Sequence, residues 1–237
     1  MPSPSDDHHG SRADTWARRV MALTVVGVCG YVASWAIAGL LIDGYDPVTG
    51  AISETFAIGA PTTTRVLMTV ALVTTGILLA AFGPAADRLA PGTGRAVVWT
   101  SGVSGVATVL IAAAPCTQGC PGFGTTPIDS AHTVLAGIGY LALIATPLVL
   151  AWRVRHHDVV LARLSWGLGI TAGVVFLVGI TVDLGIGGLV QRTYNTIADA
   201  WYVVAGLWIL HTRPVTTAAP SVPSDDGAVE SPGESPR

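Results

Sequence analysis

The feature that most limits what this chain can become is a series of long runs without a charged residue. Residues 20–42, 66–86 and 96–114 contain no Asp, Glu, Lys or Arg at all. A run of about 20 apolar residues spans a ~30 Å hydrocarbon core as a helix, and a helix satisfies its own backbone where no water is present. Three further spans are read at residues 129–152, 164–183 and 188–210, separated by a basic turn at 153–163 and a short Gly-containing one at 184–187. Composition agrees: charged residues make up 11% of the chain, roughly half the share of a soluble domain.

The predicted fold class is therefore all-α, a polytopic membrane helix bundle of six transmembrane helices with both termini cytoplasmic. Residues 1–15 are expected to form a disordered leader, 16–211 the membrane domain, and the Pro- and Ser-rich residues 212–237 a disordered tail. Ala36-Ile37-Ala38 resembles a signal-peptide cleavage site. The preceding leader is long and acidic for that role and the apolar run continues, so residues 20–42 are read as the first span. Orientation follows from arginine. Ten arginines (12, 18, 19, 88, 95, 153, 155, 163, 213 and 237) fall on the side of the termini, against Arg65 and Arg192 elsewhere, a positive-inside bias. Trp16, Trp99, Trp152, Trp166 and Trp208 fall at the same boundary, as an aromatic belt would.

The sixth span is the unusual one, because it carries Arg192, Asn195 and Asp199 on one helical face. Asp199 lies eleven residues from Leu210, about 16 Å of helix, near mid-membrane. Charges there are costly and face a partner or a cavity. Two readings follow. Either Arg192 and Asp199 neutralise each other, or pair with Asp183, as a packing clamp, or Asp199 forms the floor of a polar cavity open to the outer leaflet. Arg65, Asp129, His132 and Asp183 are expected at the same level, giving a ligand-binding set completed by Arg192, Asn195 and Asp199.

Thr126-Pro127-Ile128-Asp129 matches a helix start with a capping threonine and proline at the first turn. Asp129 and His132, three apart, are read either as cap and hydrogen-bonding histidine or as a proton-handling pair. Ser53 with His132 and an aspartate forms a conceivable hydrolase trio, but the chain lacks a G-x-S-x-G elbow. The catalytic candidates are thus His132, Asp129 and Ser53. With His132 the lone histidine on that side, no metal site and no cofactor are predicted.

In the loop after the first span, Ile52, Phe56 and Gly59 fall at helical spacing and predict a short interfacial helix. Cys116 and Cys120 are expected to form a local disulfide, and Cys29 to be a small core residue. Gly169 and Gly173 predict close helix packing within the bundle. A net charge of −3 and the absence of a basic patch exclude nucleic acid as an expected partner. The expected partners are the lipid bilayer and a small polar ligand or lipid headgroup, with no oligomeric state indicated.

The segment YDPVTGAISE (Tyr45–Glu54), the Asp129…His132 helix start, and GGLVQR (187–192) followed by Asn195 and Asp199 together resemble the domain of unknown function 998 family. The likeness covers residues 20–210. It implies a six-helix integral protein of a prokaryotic cell (plasma) membrane and brings no activity. Three functions therefore stay open: binding or moving a small solute or headgroup, an enzyme acting on a lipid-borne substrate, and a structural or accessory subunit.

Overall fold

The computed structural model describes residues 4–212 apart from Pro91 and Asp183, with side chains from Arg12 onward. The expected tail lies almost wholly outside the described residues. Six α-helices follow in order: α1 Pro4–Leu40, α2 Thr62–Leu89, α3 Arg95–Ala113, α4 Pro127–Val154, α5 Val159–Thr181 and α6 Gly187–Thr212, with one 3₁₀ helix at Ile52–Phe56. There is no strand among the described residues. The first five helices are long and apolar enough to cross a membrane. α6 is 26 residues long but its Gln, Arg, Asn and Asp leave it outside that group.

Each helix packs on its neighbour in sequence, and α6 returns to α1, closing a ring. Loops 41–61 and 114–126 and residues 184–186 gather at one end, called the disulfide end below. The turns at 92–94 and 155–158 lie at the other, the arginine end. Helix α1 begins at Pro4, within the stretch expected to be an unstructured leader. Once a membrane helix is nucleated, each added residue costs little. Ala17 is fully buried and Asp14 meets Arg88 at 2.7 Å, which holds this first part against α2.

Small residues set how closely the helices approach. A methyl group added at Gly76 would lie 2.7 Å from the Gly105 carbonyl, and one at Gly83 would lie 2.7 Å from the Val98 Cα, so α2 and α3 cross almost backbone to backbone. Gly169 and Gly173 face Leu148 and Ile144 of α4; that stripe serves packing inside the ring. The buried line of α1 runs Ala17, Met21, Thr24, Val28, Tyr31, a three-four spacing. Cys29 lies 100° off that line and is exposed, not in the core as its sequence context suggested.

The arginine half of the ring is filled. Phe82, Trp201 and Tyr202 pack edge to face with centroids 4.8–5.5 Å apart. Trp201 Nε1 donates to Ser165 Oγ at 2.8 Å and Trp208 Nε1 to Asp158 Oδ2 at 2.8 Å. Both of these indole N–H groups are thereby satisfied. The disulfide half is built differently.

Candidate functional site

The 3₁₀ helix does not lie flat on the membrane surface as an amphipathic segment would. Ile52, Ser53, Thr55 and Phe56 are all buried, and the segment caps the end of the ring against α1, α2 and α6. Its attachment explains two motifs at once. The first N–H groups of a helix have no partner within it; in α6, Gly188 N donates to Thr49 O at 3.2 Å and Leu189 N to Val48 O at 2.9 Å. Arg192, one turn on, donates through Nη1 to Pro47 O and Gly50 O, both at 2.7 Å, and through Nη2 to the Tyr45 hydroxyl. The carbonyls of residues 47 to 50 are thus all taken up by α6. Tyr45 passes its own hydroxyl hydrogen to the Gly50 and Ala51 carbonyls. Burial raises the Tyr45 phenol above its ordinary value against the lowering influence of Arg192, so at neutral pH it stays a donor. The Tyr45–Glu54 and Gly187–Arg192 segments are one folded unit, and Gly188 sits there because a side chain would strike the Gly50 carbonyl.

This fixes the role of Arg192. It is 7% exposed, its guanidinium is committed to the cap, and it makes no ion pair with Asp199. The pairing expected from their shared face is not formed. Helical side chains lean toward the N-terminus, so Arg192 reaches up to the cap while Asp199 lies seven residues, about 10 Å, further down the axis.

Beneath the cap lies a cavity of about 210 Å³, walled by α1, α2, α3, α4 and α6 and roofed by residues 51–56. Its wall is mostly apolar, with polar groups at a few points. Asp199 is at its depth, 3% exposed, and its Oδ2 has no hydrogen-bond partner among the described residues. Asn195 Nδ2 donates to the Tyr31 hydroxyl at 3.1 Å. Gln191 joins the wall to the roof: its Oε1 accepts from Ile52 N at 2.7 Å and its Nε2 donates to the Tyr140 hydroxyl at 2.8 Å.

His132 also lines the cavity. Its Nδ1 lies 2.8 Å from the Ala114 carbonyl. A carbonyl only accepts, so Nδ1 carries the hydrogen and, in the neutral ring, Nε2 is left as an acceptor. Phe56 packs on the ring with centroids 6.0 Å apart. Asp129 does not bond to His132. Its carboxylate takes Thr117 N at 2.7 Å, Thr117 Oγ1 at 2.9 Å and Thr126 Oγ1 at 2.6 Å, while its own N–H donates to Thr126 Oγ1 at 3.2 Å. That makes it the anchor of the 114–126 loop. Cys116 and Cys120 are disulfide-bonded in that loop with Cα atoms 5.1 Å apart, inside the usual range, and Ile58 N donates to Cys116 O at 2.8 Å, tying the loop to the cap. Ser53 lines the cavity but has no hydrogen bond to His132, so Ser53, His132 and Asp129 form no relay.

Of the expected binding set, the structure brings His132, Asn195 and Asp199 to the cavity and turns Arg192 and Asp129 to loop anchoring. Arg65 is exposed on the outer face of α2, in a shallow surface groove apart from the cavity. Asp183 lies outside the described residues. Sequence reasoning missed Gln191, Tyr31 and Tyr140. A signal was present for the first: Gln191, Asn195 and Asp199 recur at i, i+4 and i+8, the spacing of side chains that neighbour one another along a helix.

A closed ring of apolar helices, with its interior polar groups enclosed and Leu, Val and Ile exposed around the outside, defines a multi-pass helical membrane protein. Residues 25–208 match the family described as Protein of unknown function (DUF998), and the chain belongs to that family. No curated protein and no solved structure matches it.

Proposed function

We propose that the protein binds a small solute in the cavity beneath the cap, as a membrane-embedded binding protein or carrier. The observation that carries this reading is Asp199: the residue lines the cavity, and its Oδ2 is the one carboxyl oxygen among the buried side-chain atoms left without a partner in the described residues, the others being Trp35 Nε1, Ser104 Oγ and the Tyr202 hydroxyl. An unpaired polar group in such a place is costly, so it persists where it serves a ligand. The volume corresponds to about seven liquid waters, which suits a small solute or one headgroup and not a whole lipid. Ala136 lines the cavity, so Ala136→Phe is expected to fill it and leave the ring assembled. Native mass spectrometry in mild detergent should find a small bound molecule on the wild type that is missing from Ala136→Phe; identical spectra would overturn the reading.

The disulfide end is proposed to face outward across a prokaryotic plasma membrane, with both termini cytoplasmic. The arginine distribution supports this, as does a disulfide, which persists in oxidising compartments. An epitope at the C-terminus should then be reached by antibody only after the membrane is permeabilised; staining of intact cells would reverse the orientation.

One observation favours a second reading, an enzyme acting on a lipid-borne substrate. His132 presents an acceptor nitrogen to the cavity with its other nitrogen fixed by Ala114, the arrangement of a general base. In that case His132→Gln should abolish turnover about 10²-fold or more while solute binding survives. Binding lost together with His132, with no turnover detectable in the wild type, would discard it.

A further inference from the structure

The hydrogen-bond inventory of the cavity restricts what its ligand can be. Each of its amides already donates to a wall tyrosine, Gln191 Nε2 to Tyr140 and Asn195 Nδ2 to Tyr31. The one guanidinium close by, that of Arg192, is spent on the cap carbonyls and is not part of the cavity wall. What remains unengaged among the described lining residues is Asp199 Oδ2, Asn195 Oδ1 and, in the neutral ring, His132 Nε2, three acceptors, together with one neutral hydroxyl, that of Ser104. An anion would find no cationic side chain in the lining and would meet a carboxyl. A hard metal ion needs six or more oxygen ligands, and a mostly apolar wall with one carboxyl does not supply them. Aromatic rings of Phe56, Tyr31 and Tyr140 complete the lining. A carboxylate together with aromatic faces is the surrounding that suits an alkylated ammonium group.

Resting on the small-solute reading above, we propose that the cavity is a site for small organic ammonium ions, with Asp199 as the counter-ion and the aromatic wall enclosing the alkyl groups. The cation supplies the partner that Asp199 Oδ2 lacks among the described residues. A bound ammonium of choline or ethylammonium size fits the volume of about 210 Å³.

The test is isothermal titration calorimetry on the full chain in detergent with choline, ethylammonium and dimethylbutanol, the uncharged carbon isostere of choline, on wild type and Asp199→Asn. The expected result is that one or both ammonium ions bind the wild type at least about tenfold tighter than the isostere, and that Asp199→Asn loses this preference. The wild-type comparison of charged and uncharged probes stands even if the variant does not assemble. Equal binding of isostere and ammonium would overturn the charge recognition and leave the solute cavity standing. An ammonium preference unchanged in Asp199→Asn would place the site elsewhere and overturn the role given to Asp199. Binding of none of the three probes overturns the ammonium proposal, and native spectra identical between wild type and Ala136→Phe would separately remove the cavity reading beneath it.

Discussion

Arg192→Ala is expected to lower the melting temperature of the detergent-purified protein by about 6–12 °C. The reasoning runs from the acceptors. Arg192 serves the carbonyls of Pro47, Gly50 and Gly188 and the hydroxyl of Tyr45. Removing it strands at least the two loop carbonyls, at about 1–3 kcal/mol for each buried group left unmatched. A total near 3 kcal/mol converts to that shift at roughly 2–4 °C per kcal/mol for a chain of this size. Lysine should rescue little, because a single ammonium cannot reproduce the planar fork that reaches several acceptors at once. The loss should be local as well as global, with residues 43–51 becoming sensitive to added protease while the helices remain protected. Gly188→Ala, which pushes a methyl toward the Gly50 carbonyl, should reproduce the protease sensitivity with a smaller shift, about 1–3 kcal/mol of overpacking. An Arg192→Ala protein that melts with the wild type and resists protease in this loop would remove the cap-anchoring role.

That role also shows where sequence reasoning reached its limit. Five of the spans were legible because lipid imposes a length and a polarity that few other constraints imitate, and the polar stripe of α6 was legible because intramembrane charges are rare. The partner of Arg192 was not. Angular position places Arg192 and Asp199 about 20° apart, which invites an ion pair, but angle carries no information about axial separation or about the lean of a side chain toward the helix N-terminus. Nor can a charge pattern reveal backbone carbonyls as partners, since every residue has one. The same gap hid the function of Asp129, whose capping geometry was readable while its grip on Thr117, twelve residues away, was not. Tyr31 and Tyr140 were invisible for a different reason: neutral aromatics are ordinary in membrane helices, and only the closure of α6 onto α1 brings Tyr31 to Asn195. Arg65 was misplaced because depth along a helix was known from the sequence and rotation about it was not.

The separation of Arg192 from Asp199 leads to the second large effect, and its sign is opposite. With bound solute removed, Asp199→Leu is expected to raise the melting temperature, by about 2–8 °C for a gain of roughly 1–2 kcal/mol. Among the described residues Asp199 Oδ2 makes no hydrogen bond and pairs with no cation. Replacing an uncompensated buried polar group by an apolar one of similar volume is neutral or stabilising, because the desolvation cost is removed and no partner is orphaned. Asn195→Leu provides the control one turn away, since Asn195 does have a partner in Tyr31; it should lower the melting temperature, for a loss of about 1–3 kcal/mol. A clamp residue and a ligand-binding residue are thus distinguished without knowing the ligand: truncating a clamp destabilises the empty protein, whereas removing a group held in readiness for a ligand relieves it. A fall for Asp199→Leu comparable to that of Arg192→Ala would mean that the carboxyl holds helices together, and the binding function argued from it would fail at its first premise.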